Sequence, residues 1–262
     1  MSGGMSGGMS GGMNAGLGHD SRTHVGKVRK ENEDAFCSDQ GKGVWVVADG
    51  MGGHANGRFA SQTIVEEIAA MAVPGEALGS LDDVCDAVAD AIARANATVN
   101  ARGVATKQMG STVVILVAQG MDFAVLWAGD SRAYLLRGQN LLALTRDHTQ
   151  VEDMVQRGLM TIEEAARHPM KHVLSRAVGV NATVALDGIR DAFQPGDVIL
   201  LCSDGLSSVV PEQDIAAILG AKGLEACDDL IAASLDRGAP DNVTVTLVAP
   251  GQSRRPAIEG GQ

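Results

Sequence analysis

The chain has 262 residues, 45% of them hydrophobic, and a formal net charge of −11 at pH 7. That length fits one large domain or two small ones, and with no linker interrupting the central pattern one domain is expected. The acidic balance argues against nucleic acid or an anionic membrane as a partner, since phosphate-rich surfaces are met with an excess of Lys and Arg.

Four cysteines, Cys37, Cys85, Cys202 and Cys227, form no CxxC pair. They read as reduced thiols rather than as a zinc site or a disulfide framework. No stretch approaches the ~20 apolar residues that span a bilayer, and the N-terminus lacks a basic region followed by an apolar one. A cytoplasmic location without a membrane partner is therefore expected.

Residues 1–12 repeat Met-Ser-Gly-Gly three times, a composition that cannot offset the entropy of ordering it. Residues 1–18 are read as a flexible tail, 19–250 as the folded domain and 251–262 as a disordered C-terminal tail. Strand-like runs fall at 44–48, 112–118, 122–128, 132–137, 183–190, 197–202 and 243–248. Helical patterns fall at about 58–72, 81–101, 149–157, 161–167, 212–219 and 224–236. In the second of these, Val84, Val88, Ala91, Ile92 and Ala95 recur at helical spacing. Two early helices followed by a cluster of strands favour an α+β layered architecture over a doubly wound parallel sheet.

Several strand-like runs end on an acid. Val44-Trp45-Val46-Val47 leads to Asp49-Gly50, and Val198-Ile199-Leu200-Leu201 leads to Asp204-Gly205. Asp241 precedes the run from Val243, and Asp130 follows Ala124-Val125-Leu126-Trp127. A carboxylate at the end of a buried strand is costly unless a cation or hydrogen bonds compensate for it. Carboxylates with oxygen-only surroundings suit Mg2+ or Mn2+, and Glu33-Asp34 adds further acid. Taken singly, each Asp-Gly pair, and Gly129-Asp130 as well, could equally be a turn, and Glu31, Glu33 and Asp34 a solvated acidic face.

The ordered set is more specific than its parts. It comprises Arg29-x-x-Asn32-Glu33-Asp34, Asp49-Gly50-Met51-Gly52-Gly53, Gly110-Ser111-Thr112, Gly129-Asp130-Ser131-Arg132 and Asp147-His148. Ser175-Arg176-Ala177-x-Gly179, Ser203-Asp204-Gly205 and Asp241-Asn242 complete it. Over roughly residues 22–249 this resembles the bacterial metal-dependent protein phosphatases of the PPM, or type-2C, family.

The resemblance implies an α+β fold: a central β-sandwich of two antiparallel sheets flanked by pairs of helices, four layers αββα, with a small helical flap at about 147–172. It implies hydrolysis of phosphoserine and phosphothreonine in proteins by a metal-activated water at a dinuclear Mn2+ or Mg2+ centre. Asp49 looks like the bridging carboxylate and the Gly50 carbonyl like a ligand of one ion. Asp204 and Asp241 look like ligands of the other. Glu33 and Asp34 match acidic positions that hold one metal, largely through water. Asp130 matches a third, weaker site shared with Asp204. Arg29 matches the arginine that binds substrate phosphate, so Asp49, Asp204, Asp241 and Arg29 form the implied catalytic set.

Implied partners are phosphoserine and phosphothreonine proteins, including a Hanks-type kinase or its substrates, with no nucleic acid. The wording from Arg167 to Ala177 is like that of bacterial phosphatases encoded with such kinases, some linked to type VI secretion. A monomer is expected. One departure is Met51, where many eukaryotic members carry a His thought to protonate the leaving alkoxide; a thioether cannot donate a proton. His54 is close in sequence, with a capping role an equal alternative. His148 reads as a structural hydrogen-bonding residue, and His168 and His172 as surface.

In the flap, Val151, Met154, Val155 and Leu159 form an apolar face. Gly158 ends that helix and Thr161-x-x-Glu164 resembles a capping box. A helical hairpin that only packs on the sheet is the plainer alternative to a substrate-selecting flap. Two other readings of the whole compete. A non-catalytic phosphoprotein- or kinase-binding module of the same fold would have lost a metal carboxylate, and none is lost. For a hydrolase of small phosphoesters or nucleotides, the acidic charge and the absence of a P-loop lysine motif weigh against nucleotide specialisation, though not against activity on small phosphates.

Overall fold

The fold is seen in a computed structural model that describes residues 16–53, 55–72, 79–106 and 109–251. Two antiparallel sheets face each other. The first contains β1 (Leu17–His24), β11 (Val243–Pro250), β10 (Val198–Cys202), β7 (Arg132–Arg137) and β8 (Asn140–Ala143), in that spatial order. The second contains β2 (Asp34–Asp39), β3 (Val44–Met51), β5 (Val113–Gln119), β6 (Asp122–Ala128) and β9 (Asp187–Ala192), and the short β4 (Gly110–Ser111) pairs with β3.

Helices α1 (Ala55–Ala70) and α2 (Leu81–Thr106) cover the outer face of the second sheet. On the first sheet, α6 (Glu212–Lys222) and α7 (Cys227–Asp236) do the same. This is the expected αββα arrangement, and it explains why the strands read as unbroken apolar runs. Along β3, Trp45 and Val47 pack between the sheets while Val44 and Val46 pack under α1 and α2. Along β10, Ile199 and Leu201 point inward, and Val198 and Leu200 meet α6 and α7. A strand buried on both faces shows no polar alternation.

Apart from the two-residue β4, the strands missed in the sequence are those without such burial. β1, β2 and β8 carry polar or half-exposed residues. β1 also corrects the tail boundary at residue 18, because Leu17 is buried and pairs with Pro250. Residues 1–15 and 252–262, and with them most of both expected tails, lie outside the described residues, as does His54. The strand expected at 183–190 begins instead at Asp187. Val184 and Leu186 do pack on the helix-side core, but Asn96 on α2 binds the carbonyls of Asn181 and Ala182, at 3.1 Å each, ahead of the ladder.

The flap is a pair of short helices, α3 (Gln150–Gln156) and α4 (Ile162–Arg167). Thr161 and Glu164 form the expected capping box, with bonds of 2.8 and 3.2 Å. Its apolar face is only partly used: Val151 is buried, whereas Leu159 stays 72% exposed. The base is pinned, with Ser175 N donating to His148 O (2.8 Å) and Gln150 N to Val173 O (2.9 Å). Among the described residues no helix is long and apolar enough to cross a membrane.

Packing of this kind sets an expectation for stability. Leu201→Ala, between the sheets, should cost about 2–5 kcal/mol, while Leu159→Ala should change stability by less than about 0.5 kcal/mol. Urea unfolding midpoints of the two variants against the parent protein check both.

Candidate metal centre

One end of the sandwich collects the strand termini that carry acid. Asp34 opens β2 opposite Asp49 near the end of β3, as Cα partners in the ladder. β10 runs out at Cys202 into Ser203 and α5 (Asp204–Ser207), beside the start of β11. The connection from β6 to β7 crosses from one sheet to the other through Gly129-Asp130-Ser131. There Gly129 adopts φ +114° at a bend rather than a hairpin turn, and the bend presents Asp130.

The other two Asp-Gly pairs are not turns. A Cβ at Gly50 would fall 2.1 Å from Gly57 O, and one at Gly205 would fall 1.9 Å from Asn242 O. Each glycine lets two backbone segments touch, and the second contact brings Asp204 beside Asp241.

A cavity of about 800 Å3 opens at this end, and Arg29, Glu33, Asp49, Gly50, Asp130, Asp204 and Asp241 all line it. Asp34 alone of the expected site residues does not. It is buried behind the wall, where Oδ2 accepts from Ser203 Oγ (2.8 Å) and Thr244 Oγ1 (2.7 Å). Ser203 is thereby committed to structure, and burial pushes the Cys202 thiol up to about 12, so neither offers a nucleophile.

Each wall group is fixed by a neighbour. Asp49 N donates to Thr112 Oγ1 (3.2 Å), while Ser111 Oγ and Thr112 N both donate to Asp49 O at 2.9 Å. Asn242 holds the loop bearing Arg29 and Glu33: its Oδ1 accepts from Glu33 N (2.8 Å), and its Nδ2 donates to Val25 O and Glu31 O. The Asp130 turn is held from below. His148 Nδ1 accepts from Gly129 N (3.1 Å) and its other nitrogen meets Asp187 at 3.1 Å, the structural role expected of it. Asp147 forks onto Arg132 at 2.8 and 2.7 Å.

The electrostatics follow from crowding. Burial, then the charges of Asp204 and Asp241, raise Asp34 to about 7, even though its two hydroxyl partners pull the other way. Burial and the neighbouring carboxylates hold Asp49 well above the usual range, and burial with Asp204 and Asp147 lifts Asp130 to about 7. Burial and Asp241 raise Asp204, which is also in hydrogen-bonding contact with Asp49. For Asp130 and Asp204, the nearby positive groups Arg132, His172 and Arg29 only partly offset this.

The residues fit hard cations. Asp34 Oδ1 is buried and has no hydrogen-bond partner. A Cβ at Gly57, in the first turn of α1, would fall 1.9 Å from Glu33 Oε2 and 2.8 Å from Gly50 O. The missing side chain thus leaves a cradle where a carboxylate and a carbonyl meet. Among the described residues no three His, Cys, Asp or Glu side chains already close into a full ligand cage. The donors are oxygens spread along a wall, which suits ions that keep much of their water. Arg29 Nη2 meanwhile rests on Asp241 Oδ2 at 2.6 Å.

Sequence reasoning missed Ser203, Thr244 and Gly57 as supports, and placed His172 on the surface when it also lines the cavity. Hydroxyl residues beside a motif and a lone helical glycine carry no signal until the partner element is known.

The protein phosphatase 2C profile matches residues 22–237. The chain belongs to the protein phosphatase 2C family. It is 34% identical over 235 residues to the serine/threonine phosphatase stp of Listeria monocytogenes, covering 87% of this chain and 93% of that protein. Among solved structures it resembles PppA, a key regulatory component of T6SS in Pseudomonas aeruginosa, with TM-score 0.81 and 38% identity over 90% of this chain and 98% of that one. It also resembles the catalytic domain of the serine/threonine phosphatase PstP in complex with two manganese ions, with TM-score 0.77 and 32% identity over 90% and 99% of the two chains. The protein is accordingly a metal-dependent serine/threonine phosphatase.

Two outcomes follow for this phosphatase. A carboxyl whose folded pKa of about 7 lies above its ordinary value of 3.8 keeps its proton in the fold. The folded state then binds more protons than the unfolded chain between about 4 and 7, and stability falls as pH rises through that window. The chelated protein should melt lower at pH 7.5 than at pH 5.5, and Mn2+ should raise Tm more at pH 7.5; calorimetry at both pH values checks this. Gly57→Ala should weaken Mn2+ binding by about tenfold or more, as expected when a ligand's support is disturbed, read by titration calorimetry.

Proposed function

We propose that the phosphatase hydrolyses phosphoserine and phosphothreonine monoesters at a two-ion Mn2+ or Mg2+ centre, and that it reverses a Hanks-type kinase. The observation that carries the reading is the convergence of Asp49, Asp204 and Asp241 on one cavity with Arg29 at its mouth. Asp49 is assigned the bridging position. The Gly50 carbonyl and Glu33 are assigned to one ion, and Asp204 with Asp241 to the other. Asp130, beside Asp204, is assigned to a third, weaker ion. Asp34, buried behind Asp49, acts at one remove through its unpartnered oxygen. When bound, such ions supply a water acidic enough to attack at neutral pH and a clamp on the phosphoryl oxygens.

The chain's own groups do the rest. Arg29, more than half exposed at the cavity, is assigned to fork onto two phosphate oxygens of the substrate. Its 2.6 Å contact with Asp241 holds the guanidinium beside the carboxylates that would bind the ions. The Met51 side chain supplies no proton to the leaving alkoxide, so this step belongs to water at the centre or to another residue.

The protein is proposed to act as a cytoplasmic monomer without nucleic-acid partners, in keeping with its acidic charge. The role of the Pseudomonas relative in T6SS makes type VI secretion the pathway to examine first.

With Mn2+, the protein should release phosphate from a phosphothreonine peptide, and EDTA or Asp204→Ala should abolish this. Arg29→Ala should lower kcat/KM roughly thirtyfold, about 2 kcal/mol for a charge-assisted bond. Malachite-green assays of the three proteins decide it: turnover that survives chelation rejects the metal assignment, and unchanged kinetics reject the role of Arg29.

A further inference from the structure

Beyond the carboxyls the cavity runs into an arm that the chemistry above leaves unused. Its walls are Met51 at the end of β3, Asn100 and Gly103 on α2, Met109, and Gly179 and Val180 after the flap. None of these six is ionisable; the ionisable lining residues, Arg29, Glu33, His172, Arg176, Asp49, Asp130, Asp204 and Asp241, belong to the rest of the wall.

The arm is held firmly. Asn100 Nδ2 donates to Gly179 O at 3.1 Å, and buried Asn96 accepts from Gly179 N at 2.7 Å. Val178 and Ser111 exchange backbone hydrogen bonds of 3.0 and 2.9 Å, and Ser111 in turn binds the Asp49 carbonyl. The arm and the central carboxylate therefore share one frame.

Two features show that room is kept there for something apolar. A Cβ at Gly103 would meet nothing closer than Met109 Cβ at 3.6 Å, an ordinary contact. Packing does not require a glycine at that point, and glycine is a poor helix residue. Its effect is to leave volume in the arm. Met51 and Val180 meanwhile converge above Gly110, where a Cβ would lie 2.8 Å from the Met51 methyl and 3.0 Å from Val180 Cγ2. Val180 nevertheless keeps half its surface exposed at the rim.

We propose that this arm is a specificity subsite that receives an uncharged, apolar side chain next to the phosphorylated residue of the protein substrate. The assignment rests on the phosphoprotein reading above. Met51 directly follows Gly50, and consecutive Cα atoms lie 3.8 Å apart, so a phosphoresidue at the Asp49-Gly50 end brings its neighbour against Met51. An apolar neighbour leaves water for contact with Met51, Met109 and Val180. A charged one loses hydration on entering the arm, and Asn100, already tied to Gly179, offers it nothing in exchange.

The test compares kcat/KM of the full chain with Mn2+ on two phosphothreonine peptides, identical except for leucine or asparagine on both sides of the phosphothreonine. The leucine peptide should be preferred by about tenfold, the scale of burying part of a leucine. Gly103→Leu, which fills the arm, should bring the ratio to within about twofold of one by slowing the leucine peptide. Val180→Asp should lower the ratio from the rim, and it stands in if Gly103→Leu fails to fold by circular dichroism. Equal turnover of both peptides by the parent protein, or a preference that survives the substitutions, overturns the subsite. Turnover of neither peptide sinks the phosphatase reading and the subsite with it.

Discussion

Acids that repel one another have to be kept together at one end of the sandwich, and the rest of the molecule answers to that requirement. Burial and mutual repulsion raise Asp34, Asp49, Asp130 and Asp204 together. Left to themselves such groups would spread apart or pull in water. They stay because each belongs to a different element whose far side is anchored in a separate apolar layer. Asp49 is carried by a strand that buries Trp45 and Val47 in one apolar layer and Val44 and Val46 in another. Asp204 opens a short helix held by Ser234 Oγ on the Gly205 carbonyl at 2.8 Å. The tension is thus confined to side chains, while the backbone is braced from outside.

Small polar residues do the local bracing. Ser203 and Thr244 meet on one oxygen of Asp34, Thr112 joins Asp49 to Ser131, and Asn242 draws three segments of the entry loop together. Hydroxyls and amides are suited to this work because they satisfy buried groups without adding charge to a site that has too much of one sign. Positive charge is placed at the margin instead, with Arg29 at the mouth and Arg132 behind the Asp130 turn.

What was legible in the sequence tracks what is buried. β3, β5, β6, β10 and β11 carry aliphatic residues on both faces, and their boundaries fell within a few residues of expectation. Helix α2 was legible from Val84, Val88 and Ile92, all of which are buried. β1 was invisible because Gly-His-Asp-Ser-Arg-Thr-His earns its strand only by pairing with β11. The acids themselves were legible because strand ends and glycines mark them, and seven of the eight expected groups line one cavity. The displacement of Asp34 to the layer behind was not legible. Its partners, Ser203 and Thr244, stand 169 and 210 residues away, and no local pattern announces a bond across that separation.

The pairing of β1 with β11 has a consequence for how the molecule can be handled or tethered. Leu17 lies opposite Pro250 at one end of that ladder, and His24 lies opposite Val243, two residues from Asp241, at the other. Eight residues of strand separate the two ends, about 24 Å at the usual rise. A dye, a bead or a fused partner joined before Leu17 or after Pro250 therefore departs from the pole remote from the cavity. Immobilised by either route, the molecule would present its mouth to the surrounding solution.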